Sequence, residues 1–144
     1  MAARFYEQDV KSKLKNKRKL ASFLDTIVRE HNNNVKKIDL TYIFCNDEYL
    51  LQINKDFLNH DTFTDIVTFD MSAKPNELIG EMYISVERIA DNAHEFSASY
   101  EEELHRVIFH GTLHLCGFKD KKTADKQEMR SQENICLQQY FNHK

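Results

Sequence analysis

The chain has 144 residues, 41% hydrophobic and 30% charged, with three Gly, one Pro and no Trp. That length suits one domain over residues 1–144, because a chain of roughly 150 residues can bury about 68 to 70% of the surface its unfolded form exposes and needs no disulfide staples. The scarcity of Gly and Pro excludes collagen-like and linker-like chains, and the formal net charge of −3 excludes a polycation, so any nucleic-acid contact requires a local basic patch. No run approaches the roughly 18 apolar residues of a membrane span, and the opening MAARFYEQDVKSK lacks the apolar stretch of a signal peptide. A cytoplasmic protein with no membrane partner is expected. Cys45, Cys116 and Cys136 lie far apart without a C-x-x-C pair, which points to apolar core residues rather than a disulfide framework or a cysteine zinc site.

In chain order, residues 10–31 carry Leu14, Leu20, Phe23, Leu24, Ile27 and Val28 at helical spacing. The lysines and arginine between Lys11 and Lys19 are either a solvated helix face or a phosphate-contacting patch. KIDLTYIFC over residues 37–45 alternates as a strand does. Asn46 or Asp47 can cap a short helix through Phe57, with Tyr49, Leu50, Ile53 and Phe57 on one side, and residues 59–61 form a turn or loop. TDIVTF (64–69) and IGEMYIS (79–85) read as two strands close enough to pair antiparallel.

The second half reads as helical. Residues 86–96 have apolar positions at helical spacing, and Ser99 followed by Glu102 is a capping box opening a helix that runs to Leu115 and meets Gly117. Thr123 caps a last helix whose inner stripe is Met129, Ile135, Cys136, Gln139 and Tyr140. The whole reads as one α+β domain, a small mixed sheet packed with helices.

The chemistry is concentrated in FHGTLHLCGFKDKK, residues 109–122. His110 and His114 are one helical turn apart, so their rings share a face and can converge on one ion. Gly117 lets the chain reverse, and Asp120 follows. A helix and its reversing turn can surround a tetrahedral zinc in this way, with three protein ligands and a fourth position for water. The apolar neighbours Phe109, Leu113 and Leu115 make unpaired imidazoles costly at these positions. His105 is off that face and reads as a surface or interface residue; His31, His60, His94 and His143 have no spacing argument. Gly111, in mid-helix, points to close approach of backbone or substrate, and Gly80 to close approach within a strand.

HGTLHLCGFKD resembles the signature H-G-x-L-H-L-x-G-[FY]-x-H of the YbeY family of bacterial ribosomal-RNA maturation endoribonucleases. INKDFLNHDTFTDIVTF from Ile53 and LIGEMYIS from Leu78 resemble two further family segments, in the same order and at matching intervals. The resemblance implies a zincin-like α+β fold with its metal site on a helix and the turn after it, one zinc ion, and cleavage of single-stranded RNA in small-subunit ribosomal RNA maturation and ribosome quality control. Ribosomal RNA and the small subunit are then the partners. His110 and His114 match the first two ligands. The third family histidine is replaced by Asp120, which can still bind zinc but makes the site one charge more negative and its bound water less acidic. The family's arginine after the aromatic residue is Leu58 here, leaving Lys55, His60, Lys119, Lys121 and Lys122 as phosphate-contact candidates or ordinary solvated side chains. Asp65 and Glu81 match acidic family positions that orient ligands or substrate, or else cap helices and pair with lysines.

Gly111 stands where H-E-x-x-H peptidases carry their glutamate, which disfavours that chemistry. Two rivals to the nuclease stand: a ribosome or RNA-binding protein with a closed structural metal, and a hydrolase of small or peptide substrates with an apolar pocket. Nickel or another divalent ion can take similar ligands.

Overall fold

A computed structural model of the chain describes residues 3–60 and 62–142. The turn or loop expected over 59–61 ends on Asp61, which with His143 lies outside the described residues. The elements are β1 (Ala3–Glu7), α1 (Lys17–His31), β2 (Lys37–Cys45), α2 (Asp47–Leu58), β3 (Ile66–Asp70), β4 (Glu77–Ser85), α3 (Val86–Glu95), α4 (Tyr100–Leu115) and α5 (Thr123–Asn142). The sheet runs β1-β2-β4-β3, with β1, β2 and β4 parallel and β3 antiparallel to β4, so the expected α+β class and antiparallel pair are both found.

Alternation builds the core. Ile38, Leu40, Tyr42 and Phe44 of β2 are buried, and in register beside them Leu78, Met82 and Ile84 of β4 are buried too. Across this face lies α4, whose Leu104, Val107, Ile108 and Phe109 are buried. Tyr42 Oη is 2.6 Å from Thr112 Oγ1, and Thr112 gives its one hydroxyl proton to the Ile108 carbonyl at 2.9 Å, so Tyr42 is the donor between the two. Burial raises the Tyr42 phenol pKa, which keeps that donor protonated. The segment of α4 that carries both site histidines is thereby fastened to β2.

Gly111 and Gly80 set how closely α4 approaches. A Cβ at Gly111 would lie 2.7 Å from Ile66 Cδ1 and 3.0 Å from Met82 Sδ, and one at Gly80 would lie 2.5 Å from Leu115 Cδ1. The close approach at Gly111 is therefore by side chains of the sheet, not by backbone or substrate.

The structure corrects several expectations. Residues 10–16 are not helical: the Glu7 carboxylate accepts from Ser12 N at 2.7 Å and from Ser12 Oγ at 2.8 Å, and Asp9, Lys13 and Asn16 are left-handed. Helical geometry there would stack Lys11 on Lys15 and Lys13 on Lys17, like charges at i, i+4. β1, unforeseen, is held by parallel pairing with β2 and by Phe5 stacking on Tyr42 at 5.2 Å. On α2, Leu50 and Ile53 are buried but Tyr49 and Phe57 are exposed. On α5 the inner stripe is Met129, Glu133, Cys136, Leu137 and Tyr140, whereas Ile135 and Gln139 face outward. Thr123 is the first helical residue rather than the cap, since Lys126 N–H bonds the Lys122 carbonyl. Cys45 and Cys136 are buried and Cys116 half-buried, and burial pushes all three thiols up to about 12.

His105 is the largest correction. It is only 2% exposed, donates Nδ1–H to the Glu101 carbonyl at 2.7 Å and stacks on Tyr140 at 5.2 Å. Burial lowers its pKa against the opposing pull of that carbonyl. The unfolded chain takes up this proton near the ordinary histidine value while the folded chain resists it, so His105 costs stability as pH falls below about 6.5. Chemical denaturation at about pH 7.5 and pH 5.5 is expected to show a smaller acid loss in His105→Phe than in the parent. Equal losses would contradict a neutral buried imidazole.

Candidate metal centre

Helix α4 opens on Ser99, whose Oγ accepts from Glu102 N at 3.0 Å, and three glutamates in its first turn complement the positive end of the helix dipole. At its other end His110, half-buried, and His114, exposed, project from one face with parallel rings 6.5 Å apart. The helix stops at Gly117, with φ 109°, a value that side-chain-bearing residues rarely adopt. Gly117 N–H bonds the His114 carbonyl at 3.0 Å and Phe118 N–H the Leu113 carbonyl at 3.1 Å, the paired bonds of a Schellman turn. This reversal brings the Phe118 carbonyl back to accept from His114 Nδ1–H at 3.1 Å. Two residues on, Asp120 Oδ2 stands 3.2 Å from His110 Nε2.

The other side of His110 is held from α5. Glu133, buried, accepts from His110 Nδ1–H at 2.7 Å and from Arg106 Nη1 at 3.1 Å, with Arg130 Nη1 at 3.8 Å. Burial lowers the His110 pKa, but the bond and charge of Glu133, then Asp120 and Asp65, outweigh it, so the pKa lies above the ordinary histidine value. Acceptors flank both ring nitrogens of His110, Glu133 at Nδ1 and Asp120 at Nε2.

The donor types fit a zinc-like ion. Each imidazole has its Nδ1 engaged by an acceptor, Glu133 for one and the Phe118 carbonyl for the other, which fixes the tautomer that turns Nε2 toward a metal. Asp120 supplies a carboxylate beside them, and an ion would take the place of the proton on His110 Nε2. Among the described residues, no three His, Cys, Asp or Glu side chains already stand at metal-holding positions. The structure brings Asp120 to His110, and His114 stands one turn away.

A cavity of about 420 Å³ adjoins His110 and Asp120. Three cations in its wall, Arg106, Lys126 and Arg130, face four carboxylates, Asp65, Glu103, Asp120 and Glu133. Burial raises the Asp65 carboxyl pKa against the opposing charge of His110, and burial raises that of Glu103 as well, assisted by Asp65. Such crowding of carboxylates favours an added cation.

Of the expected substrate contacts, Asp65 lines this cavity and receives Asn92 Nδ2 at 3.4 Å. His60, Lys119, Lys121 and Lys122 are exposed and do not line it. Lys55 and Leu58 are exposed on α2. Glu81 accepts from Tyr83 Oη at 3.2 Å in a separate groove walled by Tyr49, Phe57 and Phe69. Sequence reasoning missed Glu133, Arg106, Lys126 and Arg130. The signals were present: Glu133 is four residues after Met129 on the inner stripe of α5, and Arg106 is four before His110 on α4.

A family model described as endoribonuclease YbeY matches residues 4–141. The chain belongs to the YbeY endoribonuclease family. It is 43% identical over 133 residues to the endoribonuclease YbeY of Cytophaga hutchinsonii, covering 92% of each chain, and 45% identical over 129 residues to that of Flavobacterium johnsoniae, covering 90% of this chain and 91% of the relative. The solution structure of TM1509 from Thermotoga maritima shares the fold with a TM-score of 0.63, at 21% identity, over 96% of this chain and 89% of that one. Membership in this endoribonuclease family makes the chain an RNA-cleaving hydrolase. No helix among the described residues is long and apolar enough to cross a membrane.

Proposed function

We propose that this YbeY-family chain is a zinc-dependent endoribonuclease of zincin-like fold that cleaves single-stranded RNA in small-subunit ribosomal RNA maturation and ribosome quality control, in the cytoplasm. The observation that carries the zinc reading is His110, with Nδ1 fixed by Glu133 at 2.7 Å and Nε2 aimed at Asp120, on one helix face with His114. His110, His114 and Asp120 are the residues that would hold the ion. Bound there, zinc supplies Lewis-acid chemistry, polarising a phosphate oxygen and acidifying a water.

The remaining steps belong to the protein. Glu133 and the Phe118 carbonyl hold the two rings in register before substrate arrives. Asp65, half-buried in the wall of the same cavity, has a carboxyl suited to hold a proton or orient a substrate hydroxyl. The about 420 Å³ cavity beside His110 favours an enzyme over a closed structural site.

Zinc content separates the ligands. Purified Asp120→Ala and His114→Ala are both expected to lose bound zinc relative to the parent, whereas full stoichiometry retained in Asp120→Ala would remove that carboxylate from the ligand set.

A further inference from the structure

The cavity beside His110 continues past its own rim. Lys126 and Arg130 lie in its wall and also line a second hollow of about 430 Å³ on the outer face of α5. The rest of that hollow is Thr123, Gln127, Ser131 and Asn134. These six recur at i, i+3, i+4, i+7, i+8 and i+11, one stripe of the helix, opposite the stripe that buries Met129, Cys136 and Tyr140.

The charge changes sharply along this path. In the cavity four carboxylates face Arg106, Lys126, Arg130 and His110, whereas the stripe beyond has two cations, four neutral hydroxyl or amide side chains and no carboxylate. Past Asn134 a third hollow has two carboxylates, Glu101 and Glu102, against the single cation Arg106 in its wall. An anionic chain is therefore favoured along Lys126 and Arg130 and turned away beyond Asn134. Phe96, also in the wall of the His110 cavity, is 59% exposed and offers an aromatic face to solvent.

We propose that this face is the substrate track: single-stranded RNA runs from the His110 cavity along the outer stripe of α5, with successive phosphates on Lys126 and Arg130 and a base on Phe96. The inference rests on the nuclease reading and specifies which residues hold its substrate. It supplies the phosphate contacts that Leu58 and the exposed Lys119, Lys121 and Lys122 do not bring to the cavity. Cations that follow the backbone, hydroxyl and amide donors between them and an aromatic face for a base are what sequence-tolerant single-strand binding requires.

The test is binding of fluorescein-labelled oligouridylate to the zinc-loaded protein, followed by fluorescence anisotropy before cleavage products accumulate and repeated over a range of salt. For Lys126→Gln/Arg130→Gln the affinity is expected to fall, and the slope of log Kd against log salt to shrink by about 1.4, about 0.7 for each lost phosphate contact. Phe96→Ala is expected to weaken binding by roughly tenfold, with the salt slope unchanged and the affinity restored by Phe96→Tyr. Lys36→Gln/Lys37→Gln, the same charge change at the start of β2, reports the effect of net charge alone. A parent protein that binds and cleaves RNA while the Lys126/Arg130 variant keeps its slope, or changes no more than the Lys36/Lys37 variant, overturns the track and leaves the nuclease reading standing. A parent that neither binds nor cleaves RNA overturns both.

Discussion

Glu133→Ala is expected to destabilise the metal-free protein by about 3 to 5 kcal/mol, because it removes the counterion of a nearly buried cation. The Glu133 side chain is only 6% exposed and that of Arg106 13%, with 3.1 Å between their charged atoms. Without the carboxylate, Arg106 is left in the cavity wall with no acceptor from α5, and His110 loses the bond that fixes its ring. The second loss has its own readout: removing such a partner of a ligand histidine typically costs about 10- to 100-fold in metal affinity. Glu133→Gln separates the two effects, since an amide oxygen can still accept from His110 Nδ1 but provides no charge for Arg106. Urea denaturation of the metal-free variants measures the first effect and zinc competition against a chelating dye the second. Unchanged stability and zinc affinity in Glu133→Ala would mean that α5 takes no part in building the site.

Phe109→Ala is expected to cost about 3 to 5 kcal/mol through the cavity it leaves. Phe109 is fully buried and packs against Phe23 of α1 at 5.4 Å and Tyr140 of α5 at 5.8 Å, so it joins three helices immediately before His110 in sequence. Ile135→Ala, on the outward face of α5 where the sequence pattern had placed a core residue, is expected to change stability by no more than about 0.5 kcal/mol. Denaturation midpoints of the two variants check both. A comparable loss in Ile135→Ala would restore the sequence-derived stripe and contradict the observed one.

Legibility in this sequence followed locality. Helix α4 could be read with its ends because every determinant lies within or beside it: Ser99 at the cap, His110 and His114 one turn apart, Gly117 at the reversal. The antiparallel pairing of β3 with β4 was readable because only a short turn separates them. β1 was not, because Ala3–Glu7 becomes a strand only by pairing with residues 40–44, and no local alternation announces it. The segment before α1 has helical apolar spacing, but the contact of Glu7 with Ser12 and a run of like charges prevail over that pattern.

The site divides in the same way. Asp120 could be inferred from the turn that carries it, and Asp65 from its place in a family-like segment. Lys119, Lys121 and Lys122 attracted attention by adjacency to the histidines, yet adjacency along an exposed turn does not put a side chain into a cavity. The cations of the wall come from α4 and α5, and reach it only because those helices pack together. Glu133 could have been suspected, since an acidic residue on the inner stripe of an amphipathic helix is costly unless something pairs with it.

The most direct measurement of the central claim is cleavage of a single-stranded RNA by protein stripped with a chelator and then reloaded with zinc, with His114→Ala treated in parallel. The account predicts activity that disappears on chelation, returns with zinc and is absent from His114→Ala under both conditions. Equal cleavage by parent and variant, or cleavage by the parent that persists through chelation, would contradict a zinc-dependent nuclease centred on His110 and His114.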